Sequence, residues 1–163
     1  MKMKIPSQMR GHAGEMFVCA ELMRRGWFAA LTARGSQSFD IVARRTDAAV
    51  FVTIRVKTGH GSFMWICKKS GALFLDMDDS ADFSVIVDLP DVGAPDYYII
   101  PTPKLEKILQ DSHQHWLNTP GKNGRPHGVT TMRTIWMDDD ESKVAHGFAV
   151  KLARYHNAWN LLG

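Results

Sequence analysis

The chain predicts an α/β fold, a central mixed β-sheet flanked by helices, and three observations carry that reading. An amphipathic helical segment comes first and stops at Gly26. A series of short runs rich in β-branched and aromatic residues follows, separated by glycine, aspartate and serine turns. Helical runs then return towards the end of the chain. A helix, a meander of strands and further helices suit one sheet covered on its faces. No internal repeat or linker interrupts the order, and 163 residues suffice for one core, so residues 1–163 are expected to form one domain.

The first helix is predicted over residues 13–25, with Gly26 as its C-terminal stop. At about 100° per residue, Val18, Cys19, Leu22, Met23, Met16 and Ala20 cluster around Glu15, while Glu21, Arg24 and Arg25 lie opposite. Phe17 falls on the polar side. Glu15 therefore sits within the apolar arc, where a carboxylate is costly unless it meets a cation or a donor. Its bland reading is an acid in the first turn, favoured there by the helix dipole.

Strands follow at 27–31, 39–44 and 49–58, with a hairpin turn at 46–48. In the third, Val50, Val52, Ile54 and Val56 share one face, and Phe51, Thr53, Arg55 and Lys57 share the other. Weaker apolar runs lie at 63–67 and 72–75, before an acidic turn with Asp76, Asp78 and Asp79. Residues 83–87 and 97–100 read as buried strands, the second ended by Pro101. Thr102 is the expected cap of a helix with Leu105, Ile108, Leu109 and Trp116 inward. A loop over 118–128, an acidic turn at 138–141 and a last helix over 150–162 complete the chain. That helix should turn Tyr155, Ala158, Trp159 and Leu162 inward.

The net charge of +3 hides an asymmetry. Residues 1–70 hold 12 Lys/Arg against 4 Asp/Glu, whereas residues 71–100 hold 7 Asp/Glu and no Lys/Arg. The basic segment suits a polyanion, or else is a plain solvated surface. No run approaches the roughly 20 apolar residues that span a membrane, and the basic start lacks the apolar stretch of a signal peptide. Cys19 and Cys67 are isolated and form no zinc motif, so reduced thiols and a cytoplasmic setting are expected.

Within the basic segment, Asp40 opens one strand and Lys57 closes the next. A hairpin brings such side chains together. A strand-borne acid to hold a divalent cation, with a lysine beside the attacking water, is what metal-dependent phosphodiester hydrolysis requires. His12 and His60, each next to a glycine, lie close in sequence to Glu15 and Lys57. His113 and His115 do not share a helical face and offer no metal site.

The residues Gly14-Glu15 on the helix, Phe39-Asp40-Ile41-Val42-Ala43 and Ile54-Arg55-Val56-Lys57-Thr58 resemble the motif of the PD-(D/E)XK nuclease superfamily. The later strands, helix and terminal aromatic segment Tyr155 to Trp159 follow the same order. The resemblance is to small single-domain members, resolvase-like and homing-endonuclease-like, and implies the restriction-endonuclease-like fold. It implies Asp40 and Glu15 as ligands of Mg²⁺ or Mn²⁺, with the Val56 carbonyl as a further oxygen. Lys57 would be the catalytic lysine, and the product a cut DNA phosphodiester. DNA-facing charges would be Arg55, Arg44, Arg45, Lys68, Lys69, Lys122 and Arg125, with the loop at 35–38 able to donate to phosphate. By analogy, a homodimer or larger homo-oligomer is expected.

The chain departs from that pattern at Arg55, where the family carries a second acid or a glutamine. A guanidinium has no acceptor and cannot ligate a cation. At about 5 Å it would repel a dication by several kcal/mol, even at an effective dielectric of about 20. Three outcomes follow: Arg55 swings away to clamp phosphate in an active nuclease, it pairs with Asp40 or Glu15 and replaces the metal, or it is an ordinary strand residue facing solvent. The second would leave an inactive module that binds DNA or a protein.

Overall fold

The computed structural model describes residues 5–33, 38–68, 71–74, 76–137 and 147–163, the side chain of Lys122 excepted. The strands are β1 (Trp27–Leu31), β2 (Ile41–Arg45), β3 (Phe51–Gly59), β4 (Ser62–Ile66), β5 (Asp82–Asp88), β6 (Asp96–Pro101) and β7 (Met132–Trp136). The helices are α1 (Ser7–Arg24), α2 (Thr102–Asn118) and α3 (Phe148–Ala153). Short 3₁₀ turns lie at Lys122–Gly124 and Trp159–Leu162.

Five strands form one sheet in the order β1-β2-β3-β5-β6. The β1/β2, β2/β3 and β5/β6 pairs are antiparallel, and β3/β5 is parallel, so the sheet is mixed as predicted. β5 is buried on both faces, which suits its unbroken apolar run. Two cores lie on opposite sides. Val18, Leu22, Ile41, Ile54, Val85, Ile99 and Trp159 fill the one beneath α1. Phe63, Ile86, Ile100, Leu105, Leu109, Ile135 and Leu152 fill the other, beneath α2, α3 and the β4–β7 pair.

Several boundaries differ from expectation. α1 starts at Ser7 rather than Ala13, so Gly11 and Gly14 both lie inside it. Glycine costs about 1 kcal/mol in a helix interior, and Gly14 is kept there by contact rather than propensity. A Cβ at Gly14 would lie 1.9 Å from the Thr58 Oγ1 on β3. The helix ends on Gly26 as predicted, at φ +82°. Its buried stripe is narrower than the wheel suggests: Val18, Cys19 and Leu22 are buried, whereas Met16, Ala20 and Met23 are exposed.

Thr102 does not cap α2. It is the first helical residue, fully buried, with its hydroxyl 2.9 Å from that of Ser84. Residues 72–74 form no strand; Phe74 is instead a buried side chain. Leu75 and the acidic turn at 138–141 lie outside the described residues. β7 was not anticipated, although Arg133 and Ile135 alternate inward as a strand requires. It pairs with β4 in a separate two-stranded sheet.

The expected last helix is broken in two. After α3, the chain turns to bond β6: the Ile99 N–H donates to the Tyr155 carbonyl at 3.0 Å and the Asn157 N–H to the Tyr97 carbonyl at 2.7 Å. Asn157 takes φ +50°, a left-handed conformation that asparagine tolerates. Tyr155, Trp159 and Leu162 still point inward, as predicted, while Ala158 is half-buried.

Candidate active site

The residue before Glu15 has no side chain, and this brings α1 close to the sheet. With Gly14 pressed on Thr58, α1 lies close against β3. Glu15 is half-buried and its Oε2 lies 3.1 Å from the His12 Nδ1. His12 is thus the nearest polar partner of Glu15, one turn back on the same helix.

Asp40 stands just ahead of β2. Its N–H donates to the Ile54 carbonyl at 2.9 Å, and its carbonyl accepts from the Thr32 N–H at 2.9 Å. The Thr32 hydroxyl donates to the Phe39 carbonyl at 2.8 Å. The Asp40 Oδ2 accepts the Val56 N–H at 2.7 Å. That donor faces the side chain of Asp40 rather than backbone, so regular β2/β3 pairing ends at Ile41–Ile54. Asp40 lies one step beyond that pair and opposite Arg55. Lys57 is two residues further along the same face of β3, which puts its backbone about 8 Å from that of Asp40.

Arg55 does not sit on the carboxylates. Its Nη1 donates to the Ser38 carbonyl at 3.3 Å, and its Cζ lies 5.7 Å from the centre of the Phe74 ring. Among the described residues it forms no ion pair with Asp40 or Glu15. The Lys57 Nζ lies 5.6 Å from the centre of the Trp65 ring on β4.

The electrostatics follow from this layout. Burial pushes the Asp40 carboxyl above its ordinary value, and the charge of Glu15 pushes it further; the Val56 N–H and the Arg55 charge act against them. Burial, then the charge of Arg55, lowers the Lys57 ammonium. The charge of Glu15 on α1 thus reaches the half-buried Asp40, and Lys57, two residues beyond Arg55 on β3, holds its proton less firmly than usual.

The other predicted residues scatter. Arg44, Lys68 and Arg125 are exposed. Arg45 is held by Asp47 at 2.7 Å and by the Gly163 carbonyl at 2.6 Å. Lys69, the side chain of Lys122 and loop residues 35–37 lie outside the described residues. His60 faces Asp88 at 2.8 Å rather than Lys57. Asp79 accepts hydrogen bonds from its own turn, from Ser80 and Ala81. His113 stacks on Trp116. Cys19 and Cys67 are free and buried. Among the described residues no three His, Cys, Asp or Glu side chains cluster for a metal. A cavity of about 230 Å³ between α2 and β7 holds none of the predicted residues, so the carboxylate pair, not the cavity, marks the candidate chemistry.

No family model matches the chain, and no curated protein matches it. Among solved structures it resembles a bacterial homing endonuclease, at TM-score 0.52 and 12% identity, over 98% of this chain and 92% of that one. It also resembles a Holliday junction resolvase from Archaeoglobus fulgidus, an archaeal hyperthermophile, at TM-score 0.46 and 16% identity, over 77% and 83%. With the homing endonuclease as its match, the chain has the restriction-endonuclease-like fold: a mixed five-stranded sheet flanked by helices. At that identity the likeness is one of architecture. No helix of the described residues is long and apolar enough to cross a membrane.

Proposed function

We propose that this chain is a divalent-metal-dependent endodeoxyribonuclease, with Asp40 and Glu15 as metal ligands and Lys57 beside the attacking water. The observation that carries the reading is the half-buried Asp40 carboxylate, fixed by the Val56 N–H within reach of the Glu15 charge, with Arg55 drawn off to the Ser38 carbonyl. A carboxylate that binds its proton tightly because of burial and a second acid is one that also gains from a bound cation. Asp40 keeps Oδ1 without a partner among the described residues, and Glu15 keeps Oε1. Two carboxylates suit Mg²⁺, which retains several waters and takes one or two acids. Bound there, the metal would acidify a water and offset charge on the phosphate.

The chain's own groups do the rest. Lys57, lowered by burial, can hold or release a proton at Nζ next to the scissile phosphate. Arg55 faces the same side of the sheet and can clamp a neighbouring phosphate oxygen. Arg44, Lys68 and Arg125 are exposed and free to follow the strand. The homing endonuclease of the same fold lends the activity class, and a homo-oligomer remains the expectation by the same analogy.

The second reading is an inactive binding module, favoured by one observation: the charge of Arg55 already acts on Asp40. Nicking of supercoiled plasmid in Mg²⁺, Mn²⁺ and EDTA decides between them. Metal-dependent nicking that Asp40→Ala abolishes is expected, with Mg²⁺ raising the Tm of the wild type and not of the variant. A folded protein that cuts in neither metal and gains no Tm from either is the module.

A further inference from the structure

The face of the sheet that carries Arg55 and Lys57 continues across β2 and β1, and it is uncovered there. In register, Phe28 of β1 stands beside Arg44 of β2, which stands beside Phe51 of β3. Directly paired residues point to the same side. Phe51, Arg55 and Lys57 alternate along β3 with the buried Val52 and Ile54, so this row shares its face with Arg55 and Lys57. α1 covers the opposite face.

Phe28 is 67% exposed and Phe51 58% exposed, both unusual for phenylalanine on a sheet. Between them the Arg44 guanidinium lies 5.5 Å from the centre of the Phe51 ring, and it has no carboxylate partner among the described residues. Adjacent strands are about 4.8 Å apart, so the two phenylalanines flank Arg44 in register with backbones roughly 10 Å apart. Arg55 lies four positions beyond Phe51, roughly 13 Å along the strand.

We infer that this row is a stacking platform for unpaired bases, which makes the substrate a DNA with a single-stranded segment. The inference deepens the nuclease reading and rests on its assignment of this sheet face to nucleic acid. Bases in a duplex are already stacked and cannot reach ring faces on a sheet. Splayed bases can, and sequence-tolerant single-strand binding combines aromatic faces with arginine in this way. The occupant must also be anionic: Arg44 is an unpaired cation amid apolar surface, within the segment that carries the excess of positive charge. A strand stacked on Phe51 would reach Asp40 and Lys57 within a few nucleotides.

The test is binding of a fluorescent oligothymidylate and of a blunt DNA hairpin duplex in EDTA, so that cleavage plays no part. Phe28→Ala and Phe51→Ala are surface changes, and an unchanged Tm checks their folding. Each should weaken oligothymidylate binding about tenfold or more and leave the duplex nearly unaffected. Phe51→Trp should restore it, and Arg44→Gln should flatten the salt dependence by about 0.7 in the log–log slope. Wild-type affinity in both alanine variants would overturn the inference, as would an equal loss on the duplex. A lower molar mass of the double variant by light scattering would also overturn it, by giving the face to a second copy of the chain. Plasmid nicking that fails while oligothymidylate binding needs both phenylalanines would sink the nuclease reading and leave the platform standing.

Discussion

Arg55 acts on its two titratable neighbours in one direction. Its charge lowers Asp40 against the rise from burial and Glu15, and it adds to the lowering of Lys57 by burial. The sign for stability follows. Asp40 binds its proton more tightly folded than unfolded, so its ionised form costs stability above the folded value, and the cost disappears as pH falls below the ordinary 3.8. For Lys57 the charged form carries the cost, which disappears as pH rises towards the ordinary 10.5. Arg55→Gln removes a cation from both. The acid and alkaline limbs of the rate–pH profile should both move to higher pH, whether Lys57 works charged or neutral. A profile that stays in place, or moves to lower pH, would detach Arg55 from the centre. Lys57→Ala in the same assay should lose about a hundredfold or more.

At the scale of elements, the contact between α1 and β3 decides where Glu15 stands. A methyl group at residue 14 would overlap the Thr58 side chain, with Oγ1 at 1.9 Å, Cγ2 at 2.8 Å and Cβ at 2.9 Å. Gly14→Ala should therefore push the helix off the strand, at about 1–3 kcal/mol, and lower nicking more than the stability loss alone explains. Thr58→Gly in the same chain should return part of both, a non-additivity read by urea unfolding and by rate. This contact was hidden in the sequence, because nothing local to Gly14 names Thr58 as its neighbour. The strands were legible because alternation and β-branching are local: β1 is Trp27–Leu31 as expected, and β3 shifts only at its ends. That Asp40 and Lys57 would come onto adjoining strands was legible for the same reason, since a hairpin joins them. What was not legible depends on distant partners. β7 exists because β4 is there to pair with it. The terminal helix breaks because β6 takes its backbone bonds. The direction of Arg55 depends on a carbonyl at Ser38 and a ring at Phe74, neither of which any spacing announces.

The five-stranded sheet has a core on each side, and the last residues complete one of them. Trp159 is buried, 5.2 Å from the Tyr97 ring and 4.7 Å from the Arg25 Cζ by ring centre, so three parts of the chain meet there. Burial and the charge of Glu21 push the Tyr97 phenol up to about 12, despite the nearby arginines. Trp159→Ala should cost about 3–5 kcal/mol, seen as a lower urea midpoint with an unchanged slope if the two cores unfold together. A second, separate transition would show instead that the two sides of the sheet melt independently.

The two cores hold the sheet through Ile41, Ile54 and Val85 on one side and Ile86 and Ile100 on the other, whereas Asp40, Arg55 and Lys57 are half-buried and belong to neither. Descent with modification can thus rewrite the chemistry without rewriting the scaffold. A substitution at residue 55 leaves the packed interior unaltered, so a lineage can pass through an altered or silent centre and return.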